Sequence, residues 1–146
     1  MRACIFGCQI YIVAMGSRYA KNAGAVFSLK YHLVWCPKYR RDVLKPPVDA
    51  RLKELLYTAA EQVDATIHRM EVMPDHVHLF VESDPTRSVS EIVNRLKGVS
   101  SRALRAEFPH LKSRIPTLWS RSFYAGSVGH VSEQTVRRYI EGQKGK

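Results

Sequence analysis

The chain has 146 residues, 45% of them hydrophobic and 25% charged, the proportions of a soluble globular protein with one core. Its 23 Lys and Arg against 13 Asp and Glu leave a net charge of +10. An excess of that size points to a polyanionic partner, most often nucleic acid. Cys4, Cys8 and Cys36 are the only cysteines. They are too few for a disulfide framework and fit a reducing, cytoplasmic compartment.

Ala3 to Met15 is apolar and nearly uncharged, preceded only by Arg2. It is too short to span a bilayer as a helix and resembles a weak signal peptide. Met15 opens a more soluble-looking run, Gly16-Ser17-Arg18-Tyr19-Ala20-Lys21, and is an alternative start to Met1. Residues 1–22 are therefore expected to be an N-terminal extension, a mis-called start or a disordered tail. Residues 23–146 are expected to form a single domain. No segment is a transmembrane candidate, and there are no internal repeats.

Phe27 to Trp35 alternates with period two and predicts a first strand, with Phe27, Leu29, Tyr31, Leu33 and Trp35 on one face. Cys36, at its end, is expected to be a small buried hydrophobe. A basic turn follows, Pro37-Lys38-Tyr39-Arg40-Arg41. Pro46-Pro47 introduces a helix over Val48–Val63 with Leu52, Leu55, Leu56, Ala59 and Val63 as its apolar face.

Thr66 to Met73 and His76 to Glu82 predict two strands joined by a tight Pro74-Asp75 turn. Ser88 is a candidate N-cap for a helix over Val89–Glu107, striped by Ile92, Leu96, Val99, Ala103 and Leu104. Pro109 ends it, a loop leads to Trp119, and Phe123–Val128 predicts a short fourth strand. Ser132 and Glu133 suit the start of a last helix carrying Val136, Tyr139, Ile140 and Gln143.

The order βαββαβ is the α+β, ferredoxin-like pattern: an antiparallel sheet with helices on one face and the other face open. In the third strand Val77, Leu79 and Val81 would face the helices, and His76 and His78 the open side. Two imidazoles on one rigid face suit a divalent metal, given a third ligand and room for a substrate. A hydrogen-bonded structural role, or chance, explains a His-x-His pair about as readily. Tyr139 and Gln143, four apart on a helix, share a face. Gln143 offers an amide oxygen to a metal, and Tyr139 a phenolic oxygen that can attack a phosphate.

These blocks together resemble the single-tyrosine HUH transposases of minimal bacterial and archaeal insertion sequences, the TnpA type. The likeness runs from Phe27 to Gln143. It is carried by Tyr31-His32-Leu33-Val34-Trp35-Cys36-Pro37-Lys38-Tyr39-Arg40, by Glu71 to Leu79 with His76-Val77-His78, by Leu96-Lys97-Gly98, by Leu118-Trp119, and by Tyr139-Ile140-Glu141-Gly142-Gln143. The resemblance implies a homodimer with active sites shared between subunits, acting on single-stranded DNA with subterminal hairpins. It implies Mg²⁺ or Mn²⁺ at His76, His78 and Gln143, and Tyr139 as the nucleophile that forms a 5′-phosphotyrosine during DNA transposition. In this family the tyrosine helix sits on its own or the partner subunit's histidine pair.

Charge clustering predicts DNA contacts from Lys38, Arg40 and Arg41 and from Lys97, Arg102 and Arg105. The competing functions are a non-catalytic nucleic-acid-binding ferredoxin-like module and a domesticated HUH endonuclease. Against the first, no strand carries the aromatic motif with which RNA-recognition domains stack bases.

Overall fold

The computed structural model describes the backbone of residues 2–6, 8–12, 20–21, 24 and 26–128, with side chains from 27 onward. Four strands at the start form an antiparallel meander: β1 (Arg2–Phe6), β2 (Cys8–Ile12), β3 (Ala20–Lys21) and β4 (Val26–Phe27). The predicted C-terminal helix, with Tyr139 and Gln143, lies outside the described residues.

The second sheet holds β5 (Lys30–Trp35), β6 (Thr66–Met73), β7 (His76–Glu82) and β8 (Tyr124–Ser127). Its order is β6-β7-β5-β8, with every neighbouring pair antiparallel. With α1 (Val48–Gln62) after β5 and α2 (Val89–Glu107) after β7, this is the expected ferredoxin-like arrangement. The first and third strands of the motif are central.

Alternation in β7 decides which face is packed. Val77, Leu79 and Val81 are completely buried, in one cluster with Leu33 and Trp35 of β5, Leu52, Leu55, Leu56 and Ala59 of α1, and Ile92, Leu96 and Leu104 of α2. Burying a Leu or Val side chain contributes roughly 1.5–3 kcal/mol, so this face supplies much of the domain's stability. The Ser88 hydroxyl accepts from the Glu91 N–H at 3.1 Å, closing the first turn of α2.

Two local expectations are corrected. The strand expected over Phe27–Trp35 starts at Lys30, opposite Glu82 where β7 ends; one further backbone bond, from the Ser83 N–H to the Leu29 carbonyl at 2.8 Å, closes the ladder there. Val26 and Phe27 pair instead with β3, although Phe27 is buried as its place in the pattern suggests. The loop expected after Pro109 contains a short helix, α3 (His110–Ser113). Pro109 has helical dihedrals and needs no N–H there, and buried Leu111 anchors the turn.

Candidate active site

The turn between β6 and β7 sets the site. Its two residues, Pro74 and Asp75, place Met73 opposite His76, Val72 opposite Val77 and Glu71 opposite His78. On the other side of β7, Val34 lies opposite His78 and His32 opposite Phe80. His32, His76 and His78 therefore project from the face of the sheet away from α1 and α2. The His76 and His78 rings stack with centroids 5.5 Å apart and planes 16° from parallel. His32 meets His78 at 5.7 Å.

That face was expected to be open, and at its centre it is not. His32, His76 and His78 are 3%, 4% and 5% exposed. Carboxylates flank the rings. His76 Nδ1 is 2.7 Å from Asp75 Oδ1, and His78 Nε2 is 2.8 Å from Glu71 Oε2. Farther along β7, Glu82 is also buried and lies 3.5 Å from His68 Nε2.

Charge follows burial. Desolvation, aided by the neighbouring His78, pushes the His32 pKa down to about 4, so its imidazole is neutral at pH 7. Burial would raise the Asp75 carboxyl, but hydrogen bonds from His76 and Arg40 outweigh it and hold Asp75 below the usual carboxylate range. Cys36 is half-buried rather than buried as expected, and burial pushes its thiol up.

The donor chemistry fits a divalent cation. His76 Nε2 is buried without a hydrogen-bond partner among the described residues, and such an orphan is costly unless a ligand meets it. Its other nitrogen is held by a carboxylate, the usual outer partner of a metal-ligating histidine. Among the described residues, no three His, Cys, Asp or Glu side chains group to hold a cation. A cation at this pair would find two imidazole nitrogens, from His76 and His78, and would need further ligands from elsewhere. Tyr139 and Gln143, expected to complete the site, lie outside the described residues.

The basic residues separate into two sets. Arg40 pairs with Asp75 at 2.9 Å. Lys97 Nζ donates to the Ser120 carbonyl at 2.7 Å, and Arg105 to the Ile115 carbonyl at 3.2 Å, both tying α2 to the segment before β8. Arg41 and Arg102 are exposed, and Lys38 lies over the Tyr39 ring at 5.3 Å. Arg102, Arg105 and Lys112 line a shallow concavity of about 410 Å³ along α2 and α3. The core separates these helices from the histidines, so the six basic residues do not form one patch around His76 and His78.

Sequence reasoning passed over His32, Glu71 and Asp75 as members of the site. For Glu71 the signal was present, since a two-residue turn fixes its pairing with His78. For His32 it lay in the alternation of the first strand, which turns it away from Leu33 and Trp35.

No helix among the described residues is long and apolar enough to cross a membrane. The family model described as "Transposase IS200 like" matches residues 25–143. The chain is 38% identical over 128 residues to the ISDra2 transposase TnpA of Deinococcus radiodurans, covering 86% of this chain and 91% of that one. It is 32% identical over 119 residues to the transposase for insertion sequence element IS200 of Salmonella typhimurium, covering 80% of this chain and 78% of the relative. A crystal structure of a Deinococcus radiodurans protein assigned as a transposase superposes with a TM-score of 0.73 at 38% identity, covering 84% of this chain and 96% of that one. The REP-associated tyrosine transposase bound to a REP hairpin has a TM-score of 0.57 at 13% identity, covering 77% of this chain and 62% of that one, and shares the fold. The chain thus belongs to the IS200-like transposase family, whose members are enzymes that act on DNA.

Proposed function

We propose that this chain cleaves and rejoins single-stranded DNA at the ends of an insertion sequence through a 5′-phosphotyrosine. One observation carries the reading: two stacked, buried histidines on a central strand, one with a carboxylate-bound Nδ1 and an orphaned Nε2. Membership of the IS200-like family supports it.

In this reading His76, His78 and Gln143 hold Mg²⁺ or Mn²⁺. The cation, when bound, polarises the scissile phosphate and offsets the charge that develops on it. Tyr139 attacks phosphorus with its phenolic oxygen. The bond to the 3′ oxygen breaks, that oxygen leaves as a hydroxyl after taking up a proton, and the 5′-phosphate remains esterified to Tyr139. Strand transfer reverses the step, with a 3′-hydroxyl attacking the phosphotyrosine and the phenol leaving. One phosphodiester replaces another, so no nucleotide cofactor is consumed.

The substrate is single-stranded DNA with subterminal hairpins. Support comes from a transposase of the same fold that binds a REP hairpin. The +10 charge suits a long phosphate track, with Lys38, Arg41, Lys97, Arg102 and Arg105 as candidate contacts. The working unit is a cytoplasmic homodimer in which each histidine pair is completed by a tyrosine helix of its own or the partner subunit.

The test uses a single-stranded element end, labelled at either terminus, with Mn²⁺ and a denaturing gel. A covalent adduct should retain the 3′ label and release the 5′ label. It should disappear in Tyr139→Phe and in His76→Ala. Adduct formation by Tyr139→Phe equal to wild type would remove the assigned nucleophile. DNA binding without cleavage, unaffected by His76→Ala, would leave a non-catalytic module.

A further inference from the structure

We propose that Arg40 and Asp75 form a positioning relay that fixes the proton on His76 Nδ1 and so presents Nε2 as a ligand. The inference rests on the metal-site reading above and adds two residues to it. It also reassigns Arg40, which charge clustering alone places among the phosphate contacts.

The geometry is continuous. One carboxylate serves both partners through separate oxygens, Oδ1 to His76 Nδ1 at 2.7 Å and Oδ2 to Arg40 Nη2 at 2.9 Å. An ionised carboxylate only accepts, so Nδ1 must donate, and a neutral ring then keeps its lone pair on Nε2. That Nε2 is buried and has no hydrogen-bond partner among the described residues. Arg40 has no acceptor and stays charged, so it cannot compete for the Nδ1 proton. It anchors the carboxylate instead.

Arg40 lies 35 positions before Asp75 and reaches it through an unusual turn. Tyr39 and Arg40 have φ of 62° and 50°, the left-handed region that costs a side-chain-bearing residue about 1–2 kcal/mol. Backbone bonds hold the turn: Lys38 N–H to the Leu118 carbonyl at 2.8 Å and Leu44 N–H to the Pro74 carbonyl at 3.0 Å. Pro37 bridges to Trp119 on the same side. A flexible basic loop reading phosphates would need none of these ties. A turn that must deliver one guanidinium to the Pro74-Asp75 corner needs them.

The experiment compares wild type with Asp75→Asn, Arg40→Ala, Arg40→Lys and Arg41→Ala, all first checked for native tryptophan fluorescence. In metal-free protein, imidazole ¹⁵N shifts should show His76 as the single Nδ1–H tautomer. Asp75→Asn should convert it to a mixture or to the other tautomer. Mn²⁺ affinity, read by electron paramagnetic resonance, should fall about 10- to 100-fold in Asp75→Asn and Arg40→Ala, with partial recovery in Arg40→Lys. The salt slope of single-stranded DNA binding should be unchanged in Arg40→Ala and smaller by about 1 in Arg41→Ala.

The relay is overturned if Asp75→Asn leaves the tautomer unchanged. It is also overturned if Arg40→Ala lowers the salt slope by about 1 while Mn²⁺ affinity holds. If wild type binds no Mn²⁺, the metal reading fails on its own, and the tautomer measurement still decides the relay.

Discussion

His32 costs the fold stability, and the cost should depend on pH. The ring is 3% exposed, neither nitrogen has a hydrogen-bond partner among the described residues, and its pKa is lowered from 6.5 to about 4 by burial and then by His78. Between those two values the unfolded chain binds a proton that the folded chain excludes. Stability therefore falls as pH drops through 6.5 and stops falling near 4. Between pH 7 and pH 4.5 the linkage amounts to about 2 kcal/mol from this one residue.

His32→Leu removes both the titration and the orphaned nitrogens while keeping a similar volume. Urea unfolding of metal-free protein, followed by fluorescence of Trp35 and Trp119, should show the variant at least as stable as wild type at pH 7. Its advantage should widen by about 2 kcal/mol at pH 4.5. Comparing the two proteins at each pH cancels the carboxylates they share. An advantage that stays constant across the range, or a variant less stable at pH 7, would refute the burial argument. A stabilised variant that cleaves DNA poorly would show that the ring is retained for the site.

The other predictions concern the frame and the DNA. Ser100→Ala leaves the buried Trp119 indole N–H without the hydroxyl it donates to at 3.0 Å, so urea unfolding should show a loss of about 1–3 kcal/mol. Ser88→Ala removes the cap of α2 and should cost about 1 kcal/mol in the same assay. Arg102→Ala should weaken binding of every single-stranded sequence alike and reduce the salt slope by about 1; an unchanged slope would remove the α2 concavity from the DNA footprint.

What the sequence reveals divides by the range of the interaction. The limits of α1 and α2 follow from apolar spacing, Pro46-Pro47, Ser88 and Pro109, all local signals. The packed face of β7 follows from alternation, and the Pro74-Asp75 turn fixes its register with β6. His76 and His78 were therefore legible as a pair on one face. The Arg40–Asp75 contact was not, because it needs positive φ at Tyr39 and Arg40, and neither residue type announces that conformation. The burial of the histidine face was also hidden. Alternation reports a face but not what packs on it. The start of β5 depends on where β7 stops, a property of the partner strand.

A tyrosine-and-metal site is tested most directly by peptide mapping of the covalent adduct formed with single-stranded element ends and Mn²⁺. The chain has 7 tyrosines, so the modified position is informative. The proposal requires the DNA 5′-phosphate on Tyr139, formed only with divalent metal and lost in His76→Ala. Modification of a different tyrosine, or an adduct that persists in chelator, would contradict it.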